Sequence, residues 1–313
     1  MVVKLRKGLL SNVWINIIIF HKELIYFLLL SLAVYSLYVL GHKWVDIPVL
    51  PVAMLGTALS ILLGFRNGSA YDRWWEARKI WGGIINISRT FTTQIKSYVD
   101  DTQQVKNLVY RHLAYINTLR LALRGQNIDY HKELSAFIPI VEWENLQSMA
   151  NISTQILNLQ ASEIKANVKN GHIDSEFKQY ELMGSIKELF DLQGRAERIK
   201  KTPFPKYYEL YINVFFFAFI TLFPFSIVGN LDKMSQGLDY SMTWLIVPIT
   251  LLVGFVFAAI DKSGSATEDP FENQMSDTPM TSICITIERD LRQMLGEKEI
   301  PAALVPDENG ILM

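Results

Sequence analysis

Cysteine is nearly absent. Cys284 stands alone among 313 residues, which excludes an internal disulfide and any metal site built from several thiolates. The five histidines, His21, His42, His112, His131 and His172, never fall four apart, so the helical HExxH metal pairing is missing as well. No GxSxG, Walker-type phosphate loop or GxGxxG occurs, which leaves no classical soluble-enzyme motif. Charge of one sign is lacking too: 30 Lys and Arg against 31 Asp and Glu give no electrostatic case for nucleic acid. No small-x-small cleavage site closes the first apolar run, so the chain reads as keeping it. Repeats, low-complexity tracts and flexible linkers are likewise missing.

What is plentiful is apolar surface. Half the residues are hydrophobic and 12% are aromatic, more than an all-soluble chain buries easily, yet 19% are charged, so part of the molecule must face water. Four uncharged runs carry the excess: Leu24 to Leu40, Ile47 to Phe65, Leu210 to Val228 and Met242 to Ile260. Each approaches the roughly 20 residues that cross a hydrocarbon core, and runs of this kind span as helices. Pro48, Pro51, Pro224 and Pro248 predict kinks, with an irregular start to span two at Pro51.

Positive charge sets the expected topology. Lys4, Arg6, Lys7 and Lys22 precede span one, Arg66, Arg73, Arg78 and Lys79 follow span two, and Arg195, Arg198, Lys200, Lys201 and Lys206 precede span three. The short loops near 41–46 and 230–241 hold only Lys43 and Lys233, so both termini and the middle region are expected on the cytoplasmic side of the membrane. The expected organisation is an arm over 1–23, spans one and two over 24–65, a cytoplasmic helical domain over 66–206, spans three and four over 207–260, and a C-terminal segment over 261–313. Apolar residues at helical spacing, as in Val105, Leu108, Val109, His112, Leu113 and Ile116, predict four or so amphipathic helices in the middle region. Further helical runs cover 142–168, 174–200 and 279–295, with a break at Asn170-Gly171. The class is all-α.

Span two has the most telling pattern. Thr57, Ile61 and Phe65 make one stripe; Gly56, Ser60, Gly64 and Gly68 make another, turned by about 100°. Small residues at this spacing let a neighbouring helix come close. Copies arranged around an axis would then ring a narrow apolar constriction with Thr57, Ile61 and Phe65, and such constrictions gate ions by dewetting. The same pattern also fits ordinary helix packing without a pore. Tyr71, Trp74, Trp75 and Trp81 follow, mixed with charge, as suits an aromatic belt.

The run SILLGFRNGSAYDRWWEARKIWGG resembles the bestrophin signature, a small-residue membrane helix leading into an Arg-Trp-Trp segment. The ERIKKTPFPKYYELY entry to span three and the EDPF tetrapeptide Glu268 to Phe271 extend the resemblance along nearly the whole chain. It implies four transmembrane helices merged with the cytoplasmic domain, and a homopentamer in the bilayer around one central pore for small monovalent ions. Chloride is the default; monovalent-cation (sodium) permeation is the alternative. It places the neck at Thr57, Ile61 and Phe65, with Thr57 departing from the usual branched aliphatic residue, and a cytoplasmic aperture at Phe177, with Ile173 second. Animal members gather an acidic calcium clasp after span four; here Glu268, Asp269, Glu272 and Asp277 are dispersed, so no calcium is expected beside Asp269 or Glu272, and no metal or cofactor elsewhere. A membrane-anchored scaffold is the rival from another class, though it leaves the close-packing stripe of span two unused. An intramembrane enzyme is disfavoured because no span carries Asp, Lys, Arg or His in its core.

Overall fold

In the computed structural model, residues 19–236, 239–306 and 312 are described; the expectations for the arm at 1–18 and for the middle of the second short loop lie outside them. Helices are the regular structure of the described residues, among which no strand occurs. The helices are α1 (His21–Val39), α2 (Val49–Tyr98), α3 (Thr102–Leu123), α4 (Tyr130–Glu133), α5 (Ile140–Leu146), α6 (Ile152–Lys169), α7 (Glu176–Lys201), α8 (Lys206–Met234), α9 (Ile246–Ser265) and α10 (Met280–Met294). Four segments are long and apolar enough to cross a membrane: α1, the segment containing α2, α8, and the segment containing α9. The chain is a multi-pass membrane protein.

Two compact units are present. One comprises Arg73–Thr202 with the chain from Asp269 onward; the other comprises the described residues up to Asp72 with Pro203–Glu268. In the span-bearing unit the helices close on small residues. A Cβ on Gly254 of α9 would stand 2.5 Å from the Phe27 ring of α1, and one on Gly56 of α2 would stand 2.6 Å from Phe219 of α8. Glycine at both places lets a large ring lie against backbone. Near one end, the Tyr38 hydroxyl donates to Asp232 at 2.7 Å and Lys43 Nζ lies 3.6 Å from the Tyr38 ring centre.

The amphipathic unit has one continuous core, running through Trp81, Phe91, Leu108, Leu119, Ile156, Leu189 and Ile287. Its helix starts follow capping chemistry. Asp101 accepts from the N–H groups of Gln103 and Gln104 at 2.7 and 3.0 Å, and Ser175 accepts from Phe177 N at 3.2 Å. Gly171 takes φ +78 after α6, the left-handed turn that breaks the chain before α7.

Three expectations change. The run 142–168 is two helices, α5 and α6, because the Asn151 side chain accepts from Thr154 N at 3.1 Å and starts a new helix. Pro51 leaves no irregular start: it falls in the first turn of α2, where a backbone N–H has no partner to lose. Pro248 also falls in a first turn, leaving Pro224 as the proline inside a helix.

Candidate functional site

The second span divides into a buried and an open side. Val52, Gly56, Leu59, Leu63 and Arg66 are buried, whereas Thr57, Ser60, Ile61, Gly64, Phe65 and Gly68 are exposed. Ile61 is 54% exposed and Phe65 67%, unusual for large apolar side chains. The Thr57 hydroxyl donates to the Ala53 carbonyl at 2.9 Å and the Ser60 hydroxyl to the Gly56 carbonyl at 2.8 Å, so both satisfy themselves within their own helix. The open side is therefore apolar in effect even where its residues are polar by name.

The small-residue stripe does not stay together. Gly56 faces its own chain's Phe219, while Cβ atoms on Gly64 and Gly68 would meet nothing within 4 Å. Close approach within the chain thus accounts for Gly56 alone. Gly64 and Gly68 share the open side with Ile61 and Phe65, leaving backbone accessible there.

The two aperture candidates separate as well. Phe177 lies in the first turn of α7 and is 84% exposed. Ile173, two residues before the Ser175 cap, is 2% exposed and belongs to the core.

The Arg-Trp-Trp segment lies within α2, with Tyr71 and Trp75 exposed and Arg73 and Trp74 partly buried. Arg73 donates to the carbonyls of Thr202 and Ile199 at 2.7 and 3.1 Å and to Asp269 at 3.3 Å. Trp74 Nε1 donates to the Ser276 carbonyl at 2.8 Å. Lys200 pairs with Glu272, and Asp277 accepts from Gln274 N at 3.0 Å within its own loop. In the span-bearing unit Arg66, grouped by charge with the membrane-flanking cations, is buried to 2% and meets Asp261 and Glu268. Residue type alone gave no sign of this. The signal was its position, one residue past an apolar run on the buried side of the helix. Each carboxylate of the EDPFENQMSD stretch thus has a cation or backbone partner. Among the described residues no three His, Cys, Asp or Glu side chains come together as a metal site.

Four helices long and apolar enough to cross a membrane, with a helical second unit, define a helical multi-pass membrane protein. The family follows from comparison. Residues 7–293 match the family described as Bacterial/Fungal Bestrophin protein, and the chain belongs to that family. It is 28% identical over 268 residues to the voltage-dependent anion channel-forming protein YneE of Escherichia coli K12, covering 86% of this chain and 84% of that one. A voltage-dependent anion channel-forming protein of Nostoc is 30% identical over 256 residues, with 78% and 76% covered. Among solved structures, a bacterial bestrophin homologue from Klebsiella pneumoniae is similar at a TM-score of 0.81 and 26% identity, covering 89% of this chain and 99% of that one.

Proposed function

We propose that the chain is one subunit of a homopentameric channel in the bacterial inner membrane, passing small monovalent ions, with anions as the default. The observation that carries this reading is the open side of α2, where Ile61 and Phe65 stay exposed beside Gly64 and Gly68. Five copies around an axis would cover Gly64 and Gly68 with a neighbour's helix and leave Thr57, Ile61 and Phe65 facing a dewetting neck. Phe177 forms the second constriction, on the cytoplasmic side with both termini. The names of the Escherichia and Nostoc relatives support an anion as the permeant species.

Cation passage is favoured by a different observation. At 100° per residue, Glu188 and Asp191 of α7 lie within about 20° and 40° of Phe177, on the same exposed side. Arg195 shares that side but is paired with Glu76. A vestibule lined by this face would be acidic, and acidic rings concentrate cations. Purified protein in liposomes, given chloride and sodium gradients separately, decides between the two. Chloride-driven flux that is unchanged by Glu188→Gln and Asp191→Asn supports the anion reading; sodium flux that falls in those variants supports the cation reading. Absence of both fluxes from a confirmed pentamer leaves the scaffold alternative standing.

A further inference from the structure

Arg66 directly follows Phe65 in α2, yet the two side chains have opposite surroundings: Phe65 is open and Arg66 is buried to 2%. The guanidinium bridges two carboxylates. Nη1 donates to Asp261 Oδ1 at 2.7 Å, while Nε and Nη2 donate to Glu268 Oε2 at 3.2 and 3.1 Å. Asp261 lies near the end of α9 and Glu268 three residues beyond it. The neighbouring Asn67 amide donates to the Ile260 carbonyl at 3.1 Å, and the Tyr208 hydroxyl of α8 donates to the Leu62 carbonyl at 3.0 Å. Gly264 permits the approach, since a Cβ there would stand 2.2 Å from Asn67 Oδ1.

A buried guanidinium is tolerated only when paired and hydrogen-bonded, and its planar fork suits two carboxylates at once. One positive charge here faces two negative ones. Removing it would leave like charges close together in a poorly hydrated place, which ion pairs of this kind resist strongly. It would also remove an ion pair that ties α2 to α9 beside Phe65. Because successive residues on a helix are fixed about 100° apart, holding Arg66 inward sets the direction in which Phe65 points.

We propose that Arg66 is the positioning residue of the neck, a built-in cation that holds the Asp261–Glu268 pair and thereby fixes Phe65 in the conduction path. The inference rests on the neck reading above and goes beyond it in naming what sets the constriction. The test uses the full chain in liposomes. Arg66→Ala should assemble with a flux several-fold above wild type, and free guanidinium in the millimolar range should return it toward the wild-type value. Tetramethylammonium, a cation without N–H donors, should not, and wild type and Phe65→Ala should ignore guanidinium. Wild-type flux in Arg66→Ala, or no reversal by guanidinium, or equal reversal by tetramethylammonium, overturns the proposal. Should Arg66→Ala fail to assemble, Arg66→Lys decides: charge without the fork should still raise flux, and wild-type behaviour in it contradicts the proposal. Raised flux in Phe65→Ala with none in the Arg66 variants sinks the positioning role and spares the neck. Guanidinium-reversible flux in Arg66→Ala with unchanged Phe65→Ala does the reverse.

Discussion

The two units of this chain spend their apolar residues differently. In the amphipathic unit the large aliphatic side chains along α3 are inside, with Leu108, Val109, Leu113 and Ile116 all at 0% exposure. That core even takes in polar groups: His112 is buried to 1% and Gln160 to 1%. Some apolar residues stay exposed even in this unit, Val141, Phe177 and Tyr180 among them. In the span-bearing unit comparable residues are left out: Leu29, Leu50, Met54, Phe217 and Leu252 are each more than half exposed, with Ile61 and Phe65. A water-facing protein rarely leaves so much apolar area open unless something covers it. Lipid covers part. The remainder, on α2, is the surface that a neighbouring copy or a pore would claim.

This contrast is sharpest for two equivalent truncations. Leu108→Ala should cost about 2–5 kcal/mol, as buried Leu deletions do, read as a shifted denaturation midpoint of the purified protein. Ile61→Ala should cost only about 0.5 kcal/mol, because an open site loses little packing. Equal losses would mean that the α2 face is packed within the chain, and the distinction between the units would break.

Flux should rank the same residues in the opposite order. Ile61→Ala and Phe65→Ala widen and wet the constriction and should raise flux several-fold at unchanged assembly mass, while Thr57→Ile should lower it. Leu108→Ala, which touches no proposed pore position, should leave flux per folded channel as it was.

Much of this architecture was legible from spacing. The four spans announced themselves because uncharged runs of such length have no other common home. The periodic set from Val105 to Ile116 landed wholly inside, since a helix that must bury one face writes it at intervals of three and four. Less legible were the features that depend on a partner distant in sequence. Nothing near Arg66 in the chain announces Asp261 or Glu268, and nothing near Gly56 announces Phe219, so a buried ion pair read as solvated charge and an intrachain contact as a surface for another subunit. Ile173 and Phe177 are both apolar and four apart, yet one is buried and the other exposed, with the start of a helix between them.

A smaller effect separates the units by pH. Burial pushes the His112 imidazole down to about 3, with Nε2 2.9 Å from the Ser88 hydroxyl. Below the ordinary histidine pKa of about 6.5 the unfolded chain binds a proton that the folded chain refuses. The stability is therefore full above that pH and falls, by at most about 1.4 kcal/mol per pH unit, as acid approaches the folded value. His112→Asn should flatten this limb of the midpoint-against-pH curve; an unchanged slope would assign the acid sensitivity elsewhere. The smallest expected effect is that of calcium. With Asp269 against Arg73 and Glu272 against Lys200, micromolar calcium should leave flux unchanged. A steep rise abolished by Asp269→Asn or Glu272→Gln would show those carboxylates free to gather a cation.

The central claim is that the open face of α2 lines the conduction path, and thiol modification reaches it most directly. Cys284 makes a quiet background, being buried to 3% with its thiol pushed up to about 12. Phe65→Cys channels in liposomes, treated with a charged methanethiosulfonate reagent, should lose conduction in step with labelling measured by mass, while wild type keeps both its mass and its flux. Complete labelling of Phe65→Cys with conduction unchanged would contradict the account.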